Sequence, residues 1–85
     1  MIVVRSEDGT FLGEVRTVQI IGIPNQEGLR LVANLRIVSE DNADYDLLAT
    51  YKTKEAAIKQ IDDMKKYRDH GIRSTYDLSE YKIED

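Results

Sequence analysis

The chain contains no cysteine, and it has one histidine and one proline among its 85 residues. Without cysteine it forms no disulfide framework and performs no thiol chemistry. A zinc site is disfavoured, because zinc in proteins is bound mainly by cysteine and histidine. No apolar run approaches the roughly 20 residues that a membrane-spanning helix needs. These absences argue against disulfide-stapled, zinc-dependent and membrane proteins, and they favour a cytoplasmic location.

The residues that usually carry catalysis are not arranged as a site. His70 falls in the last turn of a predicted helix, where an imidazolium suits the helix dipole. Ser39, Ser74 and Ser79 do not stand in the strand-to-helix elbow of a Ser-His-Asp enzyme. The five glycines are scattered through turns rather than gathered in a phosphate-binding loop. We therefore expect no enzymatic activity, no metal, no cofactor and no small-molecule substrate.

The charge is acidic overall but uneven along the chain. The formal net charge is −4, from 12 basic and 16 acidic residues. Residues 52–68 are the exception, with six basic and three acidic side chains. An acidic protein has little general affinity for nucleic-acid backbones. The basic stretch is typical of the solvent-facing side of a surface helix.

The first half of the chain has the pattern of an antiparallel meander. Strands are predicted at residues 2–4, 15–23, 29–38 and 45–51, and Asp8-Gly9 marks the first turn. In the last two strands the apolar residues alternate, which places the odd-numbered positions toward a core. The four polar residues Asp41, Asn42, Asp44 and Asp46 lack the order of a calcium-binding loop, so we interpret them as part of a hairpin turn.

A single amphipathic helix is predicted to follow. Thr53 is a suitable N-cap, and Gly71 has the position of the residue that ends such a helix. The apolar face is assigned to Ala57, Ile58, Ile61, Met64 and Tyr67, and the polar face to Lys54, Lys59, Gln60, Asp63 and Lys66. The predicted fold is thus α+β, one domain over residues 1–85, with a sheet of about four strands at 1–51, a helix at 53–70 and a C-terminal extension at 71–85.

The extension is too apolar to be a free tail, so we expect it to pack on the domain or on a partner. Two local structures are open. Asp77 is placed to cap a short helical turn that runs through Tyr81. Alternatively, residues 81–83 pair as an edge strand.

Three segments carry a family resemblance. Residues 3–9 (VVRSEDG), 17–20 (TVQI) and 47–57 (LLATYKTKEAA) resemble small uncharacterised proteins of Firmicutes and their prophages. Those proteins open with an arginine-serine-acid turn and later carry Tyr-x-Thr-x-Glu-x-Ala leading into a helix. The resemblance covers residues 1–68, implies a bacterial or phage origin, and brings no assigned activity or catalytic residue.

The leading functional hypothesis is a non-enzymatic protein-interaction module whose partner is a protein, with a homodimer as one form. A small domain buries little core, so dimerisation is an obvious way to bury more. The candidate interaction surface comprises the outer face of the third strand and the tyrosine-bearing tail: Arg30, Val32, Arg36, Val38, Tyr76, Leu78, Tyr81 and Ile83.

Two alternatives remain open. The first is single-stranded nucleic acid binding by the sheet face, in which the candidate contacts are Arg16, Arg30, Arg36, Lys59 and Lys66. The second is an acidic phage-type inhibitor of a host nucleic-acid enzyme. In that case phosphates are imitated by the acids near the C-terminus, namely Asp69, Asp77, Glu80, Glu84 and Asp85.

Overall fold

A computed structural model describes residues 2–22, 27–71 and 74–84. Within these ranges there are six strands and two helices. They are, in chain order, β1 (Ile2–Arg5), β2 (Leu12–Val15), β3 (Val18–Gly22), β4 (Leu29–Ser39), β5 (Asn42–Tyr51), α1 (Lys54–Asp69), β6 (Tyr76–Asp77) and α2 (Leu78–Tyr81). The α+β class is therefore confirmed.

The strands form two three-stranded sheets, with the orders β2-β1-β6 and β3-β4-β5. The second sheet is the antiparallel meander that the sequence predicts. In the first sheet, β1 pairs antiparallel with β2 and parallel with β6. The prediction of a single sheet of about four strands is wrong, because the predicted strand at residues 15–23 is divided between the two sheets.

Asn34 holds the corner where that strand divides. Its Oδ1 accepts the Arg16 backbone N–H at 2.9 Å, and its Nδ2 donates to the Glu14 carbonyl at 3.0 Å. The backbone N–H of Asn34 donates to the Thr17 carbonyl at 3.0 Å. Asn34 has a φ of 54°, a left-handed conformation that asparagine tolerates better than most residues. Ile23, the predicted last residue of the divided strand, lies outside the described residues.

A bulge changes which side chains of β4 and β5 face inward. Leu31 opposes Ala49 and Val32 opposes Leu47, so Leu48 is an extra residue in β5 and is buried. Three successive residues of β4, at positions 31–33, are fully buried, so both faces of that strand are covered at its centre. The prediction that odd-numbered residues face inward is wrong at two positions. Leu47 is turned outward beside the bulge, and Ile37 is exposed because β3 pairs with β4 only as far as Ala33.

Helix α1 begins where the sequence predicts. The Thr53 hydroxyl accepts the Ala56 backbone N–H at 3.3 Å, and the helix ends with Gly71 at a φ of 66°. The buried face is rotated from the predicted one. It includes Ala56 and Gln60, whereas Ile58 is 41% exposed. The assignment of Gln60 to the polar face is thus wrong, because the C-terminal extension covers that side chain.

The extension packs on the rest of the fold. β6 lies beside β1, and the Asp77 carboxylate caps α2 by accepting the Ser79 backbone N–H at 2.9 Å and the Ser79 hydroxyl at 2.6 Å. The predicted Asp77 cap is confirmed. The alternative edge strand at 81–83 is wrong, since the pairing residues are Tyr76 and Asp77. Side chains from both sheets, α1 and the extension share one apolar core.

Candidate interaction surface

Strands β4 and β5 extend beyond their neighbours as a two-stranded ribbon, which we call the arm (residues 35–46). β3 pairs with β4 only at residues 29–33. Glu7 covers the free edge of β5 near the C-terminal end of that strand. Its backbone N–H donates to the Leu48 carbonyl at 2.8 Å, and its carboxylate accepts the Thr50 backbone N–H at 3.1 Å. Among the residues that the structure describes, no further strand pairs with either edge of the arm.

The arm exposes two aliphatic side chains. Ile37 is 82% exposed and Val38 is 70% exposed, the highest values among the large hydrophobic residues in the described ranges. Natural sheets protect open edges with charged side chains (lysine above all), with proline, with bulges or with a covering element. Residues 35–46 contain neither lysine nor proline, although they carry other charged side chains. An open ribbon with exposed aliphatic residues is typical of an interaction site.

The arm is also acidic. It carries four carboxylates, at Glu40, Asp41, Asp44 and Asp46, against the single cation Arg36. Arg36 Nη2 lies 3.2 Å from Asp44 Oδ2, an exposed pair that contributes little to stability. The tip therefore presents aliphatic side chains together with net negative charge.

An apolar groove with a cationic rim lies between α1 and the corner of the sheets. Ile2, Val15, Val18, Ile61 and Met64 line its apolar part, and Arg16, Lys65 and Arg68 line its rim. The cavity volume is about 310 Å³. None of these lining residues is acidic, although Arg68 pairs with its neighbour Asp69 at 3.2 Å. We call these eight residues the groove.

The candidate contact residues of the third predicted strand, at positions 30–38, lie partly on the surface and partly in the interior. Arg36 and Val38 lie on the arm and are exposed. Arg30 is half-buried, and its Nη1 donates to the Tyr45 hydroxyl at 2.8 Å. Val32 is 0% exposed, so its place on an interaction surface is a wrong prediction that follows from the covered centre of β4.

The candidate contact residues of the C-terminal tail, at positions 76–83, belong mostly to the core. Tyr76 and Leu78 are fully buried and cannot contact a partner, because the extension turns them inward. Ile83 is half-buried against the core, and Tyr81 alone is about half exposed. Of the two expected outcomes, packing on the domain or on a partner, the structure shows the first, and residues placed on a predicted interaction surface belong to the core.

Gln60 explains how the tail is held. Its Oε1 accepts the Tyr51 hydroxyl and the Ile83 backbone N–H, both at 2.7 Å. Its Nε2 donates to the Tyr76 hydroxyl at 2.8 Å and to the Tyr81 carbonyl at 3.2 Å. One buried amide therefore joins β5, α1 and the extension, and all of its hydrogen-bonding capacity is used.

The Tyr76 hydroxyl, in turn, donates to the Asp63 carboxylate. Burial and the hydrogen bond to Asp63 raise the pKa of Tyr76 well above its ordinary value, so this phenol is neutral in the folded protein. The network thus extends from the buried Gln60 amide to the exposed carboxylate of Asp63, and it ties the C-terminal extension to α1.

The cations proposed for nucleic acid do not form one surface. Arg16 and Arg36 line a common polar pocket with Glu14 and Asp46, whose carboxylates oppose the binding of phosphate. No aromatic ring lines that pocket, so it offers no platform for base stacking. Two further candidates, Lys59 and Lys66, are exposed on α1 and do not line it, and Arg30 is bound to Tyr45.

The acids proposed as phosphate mimics are partly engaged within the fold. Asp69 pairs with Arg68, and hydrogen bonds from Ser79 lower the pKa of Asp77, which caps α2. Glu80 and Glu84 are exposed, and Asp85 lies outside the described residues.

No group of three or more histidine, cysteine, aspartate or glutamate side chains suited to a metal ion occurs within residues 2–22, 27–71 and 74–84. Asp41, Asn42, Asp44 and Asp46 lie at the turn of the arm and in β5, as the hairpin interpretation predicts. His70 is the C-cap of α1, and its Nδ1 lies 2.6 Å from the Lys66 carbonyl.

The described helices are all too short or too polar to cross a membrane. A scan against protein-family models and searches of curated proteins and of solved structures find no match for this chain.

Proposed function

We propose that the chain is a non-enzymatic protein-interaction module that binds a protein partner through the arm. The observation that carries the proposal is the exposure of Ile37 and Val38 on a ribbon whose edges are open in the described structure. The proposal retains the cytoplasmic location and the bacterial or phage origin that the sequence predicts.

The arm has two sources of binding free energy. Its open edges can pair with another strand, so that main-chain hydrogen bonds contribute affinity and alternate side chains contribute specificity. Full burial of an aliphatic side chain stabilises a complex by roughly 1.5–3 kcal/mol, so Ile37 and Val38 together are a sizeable anchor. A nucleic-acid partner would gain little here, because the arm carries net negative charge.

Site-specific photo-crosslinking in the cells that naturally make the protein tests the proposal. A photoreactive amino acid at Val38 is compared with the same amino acid at Ile58, an exposed aliphatic residue on α1. We expect protein adducts at position 38 in several-fold excess over position 58. Equal yields at the two positions, or adducts at 38 that contain nucleic acid instead of protein, would contradict it.

A further inference from the structure

We propose that the partner of the arm is a second copy of this chain, and that the arm of each copy lies in the groove of the other. This inference rests on the proposed function of the arm and adds the identity of its partner. It assigns a role to the groove, which the proposed function does not use.

The arm and the groove are complementary in both polarity and charge. The arm offers the exposed aliphatic pair Ile37 and Val38, and the groove offers partly exposed aliphatic side chains such as Ile61. The arm carries four acids and one cation, a net charge of −3, and the groove carries three cations and no acid, a net charge of +3. Because like charges across an interface are costly, this match favours the arm over a neutral or basic segment.

The position of the groove allows a reciprocal exchange. Arg16 lines the groove and also lines the polar pocket beside Leu35 and Arg36, where the arm begins. Five strand residues beyond position 35 span about 17 Å at the usual rise, so the tip reaches well past its own root. In the proposed dimer, two arms cross near a shared two-fold axis, and each reaches the groove of the other copy. Such a closed, isologous contact gives a dimer, whereas a one-way contact would give a filament.

Charge reversal with complementation tests this arrangement in the full-length protein. The groove variant carries Arg16→Glu and Lys65→Glu, and the arm variant carries Glu40→Lys and Asp41→Lys. All four side chains are exposed. In a homodimer of either variant both contacts bring like charges together, but in a mixed dimer both contacts are again complementary. Sedimentation equilibrium measures association, and circular dichroism confirms that each variant is folded.

We expect the unmodified chain to form a dimer that dissociates as salt is raised, because screening weakens exposed charge pairs. Each variant alone should show a dissociation constant at least about tenfold higher, and an equimolar mixture should recover heterodimer. The matched control, Lys59→Glu with Lys66→Glu, makes the same change in net charge on α1 outside the groove and should leave the dimer intact.

The inference is overturned if the unmodified chain remains monomeric, if either folded variant dimerises as well as the unmodified chain, or if the folded variants do not recover association when mixed. A monomeric chain whose position 38 still crosslinks to a different protein would overturn the second-copy inference alone and leave the proposed function standing. The absence of a protein adduct at position 38 together with a monomeric chain would overturn both.

Discussion

The tail and the arm have similar compositions, but the tail is mostly packed into the core and the arm is mostly exposed. Residues 74–84 and residues 35–46 are both short segments that mix aliphatic, aromatic and acidic side chains. The tail is tied to the fold through Gln60 and through a 2.8 Å ion pair between Lys82 and Glu7, and it buries Tyr76 and Leu78. The arm is joined to its root by a 2.8 Å hydrogen bond from Arg30 to Tyr45, but it leaves Ile37 and Val38 exposed. Apolar content alone does not distinguish a buried segment from an exposed one, because burial also depends on polar partners elsewhere in the fold, such as Gln60.

The largest difference should appear when an aliphatic side chain is truncated in each region. Leu78→Ala removes fully buried atoms and leaves a cavity, so we expect it to lower the free energy of unfolding by about 2–5 kcal/mol. Val38→Ala, studied at protein concentrations where the chain is monomeric, should change it by about 0.5 kcal/mol or less. Urea denaturation measures both. Equal losses of stability in the two variants would show that Val38 is packed as tightly as Leu78.

The buried amide should rank next. Gln60→Leu keeps a similar volume but removes the hydrogen bonds that the side-chain amide makes to the Tyr51 and Tyr76 hydroxyls and to two backbone groups of the tail, so we expect a loss of about 2–3 kcal/mol. Gln19→Leu, at an exposed position of β3, is the matched control and should be nearly neutral. Limited proteolysis should then cut the tail of the Gln60 variant first. A tail that stays protected would show that apolar packing alone holds it.

The corner at the root of the arm is expected to give a smaller effect. Asn34→Ala loses two side-chain hydrogen bonds to the backbone and places alanine at a positive φ, for a cost of about 2 kcal/mol. Asn34→Gly removes the same hydrogen bonds without the backbone strain, so it should cost about 1 kcal/mol less. Thermal denaturation of the two variants provides the measurement. A glycine variant less stable than the alanine variant would contradict the role assigned to the left-handed backbone.

The pH dependence of stability should be the mildest of the four effects. Hydrogen bonds from Ser79 hold the pKa of Asp77 below its ordinary value of 3.8, and hydrogen bonds from Thr10 do the same for Asp8. Because these folded pKa values are depressed, the stabilisation is present above pH 4 and is lost as the pH falls further. Measured between pH 6 and pH 2, the melting temperature should decrease as the pH is lowered. The decrease should be smaller in Asp77→Asn. An unchanged acid limb in this variant would show that the cap of α2 does not contribute.

Hydrogen bonds between residues that are close in the sequence were predictable, whereas those between distant residues were not. Thr53 and Asp77 cap helices because a side-chain oxygen reaches an N–H two or three residues away, a property visible in the sequence itself. Gln60 meets Ile83 only after the chain has folded back over 23 residues, so helical periodicity assigned it to solvent.

The same contrast explains the errors in the sheet. A run of β-prone residues from Val15 to Val18 gives no sign of a corner, because the corner is made by Asn34 from another strand. Leu48 turns inward at a bulge, and the extra residue shifts the pairing of β4 with β5 until a second register shift, between Ala33 and Arg36, restores it. Of the candidate surface, the sequence predicted Arg36 and Val38 but not the groove, whose residues come from β1, β2, the bend at Arg16, β3 and α1.

Amide hydrogen exchange of the full-length chain, at protein concentrations below and above the dissociation constant of the proposed dimer, tests whether the arm binds a second copy while the tail serves only the fold. We expect exchange of the arm amides to slow by about tenfold or more at the higher concentration, and we expect no change for the tail amides, since contacts of Gln60 and Lys82 already hold the tail in the monomer. Arm amides that exchange equally fast at both concentrations, in a chain that sedimentation shows to be dimeric, would contradict it.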